Sequence, residues 1–473
     1  MIPYTYPRSL PRSTTFELRI NGHPIDALAT GVADFVIAAL SDTDLPACIE
    51  VTASIAFPAT DVVVRPRSKN IVHECEGCIV RFTLARVEKV SIDFGYGRRP
   101  LYLFLSPPEE APPIVEKESV VTFPAGQITE MPLLTLEDGQ TLYLPGGAVF
   151  KGRIHVKGRR DVRICGHGII DGSYYTRDLD GSLPLVVMES CSDILIEGIT
   201  LVRPTGWMLV LAACVDVTVR DLRQIGEVVS SDGIDVVGSR DVLIEDCFLH
   251  NNDDCVVVKA FEIGGMNLAG SLIHGRENVE NILVRHCTLA NWTAGNAVEI
   301  GHELSVDHVR GIVFQDIDVL HVHGHGAVFS LHNYGRALVE DVLFEDIRIE
   351  HCFDKFIDFR ISRSRYTPKN EPPGCIRGIV LRNIVWHRDH YCPGYTTSLI
   401  GGWDEHHRIE DVSFENIRLN DRVIEDLEEL EIHQRHCTGL RLVDSASAPV
   451  QLTAPDRGCP ISVASPLRCP SST

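Results

Sequence analysis

The chain has 473 residues, with 44 Lys and Arg against 65 Asp and Glu, and a formal net charge of −21. Such a balance repels phosphate backbones, so nucleic acid is not expected as a partner, and an anionic polymer is a poor substrate unless a local basic cleft receives it. A hydrophobic content of 44% with 23% charged residues belongs to a folded globular chain, and no run of about 18 apolar residues suggests a membrane span.

The first twenty residues, MIPYTYPRSLPRSTTFELRI, contain no uninterrupted apolar stretch of the export type, so a cytoplasmic location is expected. The strand-like runs FELRI from Phe16, IEVTASIAF from Ile49, IVRFTLARV from Ile79 and LYLFL from Leu101 predict a small β-sandwich over residues 1–106. PPEEAPP, residues 107–113, reads as a stiff linker, because proline fixes φ and interrupts regular structure. Fifteen cysteines without an export signal read as free thiols packed as small hydrophobes, and the lone CxxC, Cys75 and Cys78, has no second ligand pair at zinc spacing.

From residue 114 to 443 one pattern recurs: three apolar-leaning residues, two polar, one apolar. Its members are ILIEGI from Ile194, VTVRDL from Val217, VLIEDC from Val242, ILVRHC from Ile282, IVFQDI from Ile312, VLFEDI from Val342, IVLRNI from Ile379 and VSFENI from Val412. VRICGHGIIDG from Val162 is an earlier one. Short β-branched strands at such spacing, without helical periods between them, predict an all-β solenoid: a right-handed parallel β-helix whose turns stack about 4.8 Å apart. The Leu-x-x-Leu-x-Leu register of a leucine-rich repeat is absent. Residues 444–473, rich in Ser, Pro and Ala, read as a tail that wraps the last coils or frays.

Within the repeats, SSDGIDVVGSRDVLIEDCFLHNNDDC from Ser230 sets Asp232, Asp235, Asp253 and Asp254 among strand runs that disfavour Asp. Residues one turn apart in a stacked coil lie side by side, so Asp232 and the Asp253/Asp254 pair are expected to converge. Carboxylates held that close raise one another's pKa, which lets one act as an acid while another remains a base. Two such groups flanking a glycosidic bond hydrolyse it with inversion when a water fits between them.

SSDGIDVVGSRDVLIEDC followed by NNDDCVVVK resembles the NTDGxD and DDCxAxK blocks of glycoside hydrolase family 28, the polygalacturonase family, over about Leu133 to Ile417. The N-terminal β domain with its linker is more similar to family 49, the dextranase group of the same clan. The resemblance implies an inverting glycosidase with Asp253 as general acid, Asp232 and Asp254 as the carboxylates that activate water, and Asp235 as an orienting group. Two departures stand out: Asn296 occupies the place of the His in the GHG motif, and Val328-Phe329-Ser330 that of the RIK triplet that grips galacturonate. The uronate clamp is therefore missing, and a neutral glycan or oligosaccharide is expected.

Further residues are candidates for the substrate site. Lys259 either hydrogen-bonds sugar or pairs with a neighbouring Asp. Glu299 and His302 end a strand on the next coil, and His332 and Arg360 lie on later strands of the same row. Trp207 is either a sugar-stacking platform or packing. No metal or other cofactor is expected: HVHGHG from His321 and DEHH from Asp404 lack a third ligand at metal spacing. The alternatives left open are a polysaccharide lyase on the same fold, a non-catalytic glycan-binding β-helix and a glycosyl-transferring relative.

Overall fold

The computed structural model describes residues 2–95, 98–110, 119–264, 271–365, 367–388, 397–420 and 422–443. Residues 111–113 of the expected linker and the tail 444–473 lie outside the described residues. Two N-terminal sheets come first. One pairs Phe16–Ile20, His23–Ile25, Ala47–Ala53, His73–Glu76 and Ile79–Leu84, and the other contains Asp34–Ala39, Val62–Arg65, Lys89–Phe94 and Leu101–Ser106. Leu18, Ile49, Val80 and Phe82 of the first pack against Val36, Ile92, Leu101 and Leu103 of the second, forming one apolar layer between them.

Asp34–Ala39 and Leu101–Ser106 are buried on both faces, which explains their unbroken apolar sequence. One face feeds the sandwich, while Phe35, Ile37, Tyr102 and Phe104 on the other lie against Val149, Ile169, Val202, Ile225, Phe248, Ala290 and Leu320. Those seven residues belong to successive coils of the solenoid that begins at Val120. Glu109 accepts from the backbone N–H of Gly146 at 2.7 Å and of His167 at 2.9 Å, which fastens the described end of the linker to the first coils.

From Val120 to Val443, thirty strands among the described residues form one coiled sheet. Through most of it each strand pairs in parallel with the strand three further on, so a coil has three strands, a parallel β-helix. From His308 onward the second and third strands of a coil merge into single long ones such as His308–Val322 and Leu338–Ile349.

The recurring six-residue pattern has a geometric cause. Its first, third and sixth residues, for example Val242, Ile244 and Cys247, face the solenoid core. Its fifth residue turns the corner in the left-handed region: Gly198, Asp221, Asp246, His286, Asp316, Asp346, Asn383 and Asn416 all have φ between 50° and 77°. Gly, Asn and Asp tolerate that conformation best, hence the polar residue at that position in nearly every repeat.

Candidate active site

The site lies on the outward face of the sheet formed by the first strand of each coil. In-register pairing aligns Asp235 with Val257, Val257 with Glu299, Glu299 with Ser330 and Ser330 with Asp358. Two residues along, His332 aligns with Arg360. Opposite Lys259 the register slips, between Val258 and Ala260, so the segment Gly301-His302-Glu303 bulges outward there.

Asp232 and the Asp253/Asp254 pair end loops at one margin of this sheet. The backbone N–H of Gly233 donates to Asp254 O at 2.8 Å, which stacks the two loops directly. One oxygen from each of Asp232, Asp253 and Asp254 lies within 4.8 Å of the other two. A single water spans roughly 5–6 Å when it bonds two oxygens at ordinary distances, so any two of these carboxylates can share one.

Gly295, on the next coil, makes room for the cluster. Its φ is +67°, and a Cβ there would sit 2.4 Å from Asp253 Oδ1 and 2.3 Å from the Asp254 nitrogen. Any side chain at this position would displace the acid.

The carboxylates have distinct surroundings. Asp253 is half-buried and accepts from the backbone N–H of Ser230 at 3.2 Å and of Asp254 at 3.1 Å. Burial first, then the nearby Asp232 charge, pushes its pKa up to about 7. Asp254 is buried and accepts at Oδ1 from both the backbone and the side-chain nitrogen of Asn296, at 2.7 and 2.8 Å. Burial, with Asp253, Glu299 and Asp232 close by, raises its pKa as well. Asp232 and Asp235 flank an ammonium: Lys259 Nζ lies 2.8 Å from Asp232 and 2.9 Å from Asp235. Burial pushes Asp235 up despite this partner, while the two carboxylates outweigh burial at Lys259 and raise its pKa.

Of the two readings open for Lys259, the structure realises the ion pair. Its ammonium also sits 3.9 Å from the centre of the Trp207 ring, a cation–π contact. Trp207 is 6% exposed and meets Phe261 edge-on at 6.4 Å. The stacking-platform reading of Trp207 is therefore corrected, because Lys259 already occupies its face and the indole serves as that lysine's support.

Asn296 bridges two acids, donating to Asp254 and, at 2.9 Å, to Glu299 Oε2. Glu299 is fully buried, with His332 Nδ1 3.1 Å away, and His332 Nε2 lies 3.4 Å from Asp358. Burial lowers the His332 pKa, but Glu299 and Asp358 more than offset it and hold the imidazole at about 9, protonated at neutral pH. Burial raises Glu299, and the His332 charge overrides that and draws it down. His302 is pushed to about 4 by burial and is neutral, and its ring stacks on Tyr334 at 4.8 Å. Arg360 grips Asp358 with two hydrogen bonds.

The structure thus gathers every candidate around one face, and adds three that sequence reasoning missed: Asp358, Tyr334 and Glu303. Asp358 and Tyr334 stand two residues from Arg360 and His332, so the two-residue strand period could have found them. Glu303 comes close to Lys259 only through the bulge, which no periodicity announces.

Among the described residues, two groups hold metal-ligating atoms close enough for a divalent ion: the three Asp, and Glu299 with His302 and His332, each within 4.8 Å. In the first, Asp232 already pairs with Lys259, and in the second, Glu299 with the His332 imidazolium. The histidine-rich runs have other partners. His321 Nδ1 bonds Asn291 O at 2.8 Å and His323 stacks on Trp292 at 4.8 Å, while Asp404 closes a turn over the backbone N–H groups of His406 and His407.

Residues 166–350 match the family model described as Glycosyl hydrolases family 28. A probable polygalacturonase of Arabidopsis thaliana is 28% identical over 172 residues, 33% of this chain and 37% of the relative, so the chain spans little more than a third of that curated relative's length. Among solved structures, the hyperthermoactive exopolygalacturonase of Thermotoga maritima matches with a TM-score of 0.52 at 16% identity, over 69% of this chain and 84% of that one. Dex49A from Penicillium minioluteum matches with a TM-score of 0.55 at 13% identity, over 95% of this chain and 92% of that one. At these identities the likeness is one of fold, the right-handed parallel β-helix.

Proposed function

We propose that this chain, whose coils from residue 166 to 350 match family 28, is a glycoside hydrolase that cleaves a neutral glycan with inversion. The observation that carries the hydrolase class is the convergence of Asp232, Asp253 and Asp254, whose oxygens lie within 4.8 Å of one another. Asp253, with a pKa of about 7 and partial exposure, gives its proton to the leaving oxygen. Asp232, 2.8 Å from the Lys259 ammonium, takes a proton from the attacking water. Asp254, fixed by Asn296, shares and orients that water. Water adds across the bond, one proton leaving to Asp232 as another arrives from Asp253, so the charge of the cluster is unchanged.

The closeness of the oxygens favours a second reading of the stereochemistry. Retaining enzymes set their carboxyls about 5 Å apart and inverting ones about 6.5–9.5 Å apart. Proton NMR of the first-formed product decides between them, and the inverting reading expects the anomer opposite to that of the substrate linkage.

Neutrality of the substrate rests on an inventory of cations at the site. Lys259 serves Asp232 and Asp235, His332 serves Glu299 and Asp358, and Arg360 serves Asp358. The side chains at the RIK position, Val328, Phe329 and Ser330, are buried and carry no charge. A uronate would meet acids beside cations that are already paired, Lys259, His332 and Arg360, and each close like-charge pair costs roughly 1 kcal/mol or more. Reducing-sugar release from a panel of neutral and acidic glycans, with absorbance at 235 nm followed in parallel, tests the class of reaction. A hydrolase gives reducing sugar alone, whereas an unsaturated product signals a lyase.

A further inference from the structure

The outward face that carries the acids is covered at the end that precedes Asp235. On the two coils before Asp235, Val187, Val210 and Ala212 point away from the core, since they alternate with Val186, Met188, Leu209 and Leu211, which line it. These outward residues, together with Val237 beside Asp235, are fully buried. What covers them comes from the described parts, 261–264 and 271–278, of the stretch between the strands Val256–Ala260 and Val279–Arg285. Ile263 and Ile273 join in an antiparallel bridge, with reciprocal N–H to O bonds of 3.0 Å, and pack with Trp207 on this row.

The cover is anchored well back along the solenoid. The backbone N–H of His274 donates to Glu189 at 3.1 Å, two coils before Asp235. Gly238 accepts the close pass of the returning segment, where a Cβ would lie 2.1 Å from Gly275 O. On the other side of Lys259 the floor stays polar and partly exposed, at His302, Glu303, Tyr334 and Arg360.

We infer that the site is a dead-ended pocket that receives the end of a glycan chain, so that the enzyme acts as an exo-hydrolase, with the rest of the polymer leaving over Tyr334 and Arg360. A glycan lying along the coils finds no floor beyond Trp207, because Ile263 and Ile273 occupy it. Only a short terminal piece fits between that wall and the acids, and each cleavage releases that piece. This inference rests on the hydrolase reading above and specifies its mode.

Dextran, pullulan, arabinan, galactan and polygalacturonate serve as probes, with Asp253→Asn protein as the blank. On whichever polymer wild type cleaves best, viscosity and reducing ends are followed together and the products are separated by length. The expected result is one short sugar accounting for the reducing ends from the first sample onward, while viscosity lags. An early collapse of viscosity with a ladder of intermediate lengths overturns the exo inference and leaves the hydrolase standing. Release no greater than the blank on all five polymers overturns the hydrolase reading, and the exo inference with it.

Discussion

Asp253 becomes an acid through its surroundings: a half-buried carboxyl beside Asp232 has its pKa pushed up to about 7. Asparagine keeps its shape and removes its proton, so Asp253→Asn is expected to lower turnover by at least about 10²-fold, as loss of general acid catalysis does. Circular dichroism and thermal unfolding indistinguishable from wild type would confine that loss to chemistry. Because the acid must be protonated, kcat/KM should fall as pH rises through about 7, an alkaline limb that a pH profile reads directly. His332 makes the opposite kind of statement, about stability. Its folded pKa of about 9 lies above the ordinary value of 6.5, so its contribution is complete below 6.5 and disappears as pH rises through 9. At 1.36 kcal/mol per pKa unit that contribution is capped at about 3 kcal/mol. Wild type should therefore lose stability relative to His332→Gln between about pH 6.5 and 9, and parallel unfolding curves for the two proteins would contradict the charged His332. The acids were legible because Asp is out of place among strand residues and because the coil period brings positions 21 and 22 apart side by side. The choice between the two readings of Lys259, and between those of Trp207, was not, since both depend on which side of the strand is covered.

At the scale of the elements, the solenoid was legible in the six-residue pattern, and the left-handed corner explains why. Asp246 stands at such a corner with φ of 55° and an exposed side chain. A β-branched residue there carries the left-handed penalty of about 1–2 kcal/mol, whereas glycine carries none. Asp246→Val should thus unfold at lower denaturant than Asp246→Gly, and equal midpoints would dismiss the corner account. The merging of strands after His308 and the bulge at His302 could not be read, because neither changes the alternation of apolar residues. The N-terminal strands Asp34–Ala39 and Leu101–Ser106 were legible as strands, but not as the layer that joins sandwich to solenoid. Two-sided burial looks the same in sequence whether the second face meets a sheet of the same unit or of another.

For the whole molecule the governing quantity is charge. A net −21 over the chain agrees in sign with a site where every cation identified already has an acid beside it. Salt screens long-range repulsion but acts weakly on buried pairs, so raising it should not make an anionic polymer a good substrate. The measurement that bears most directly on the neutral-glycan account is kcat/KM on polygalacturonate against the best neutral glycan, at low and at high salt. The account predicts polygalacturonate at least about 100-fold worse at both, roughly the 3 kcal/mol that a few uncompensated like-charge pairs supply. Comparable values on the two substrates would contradict it.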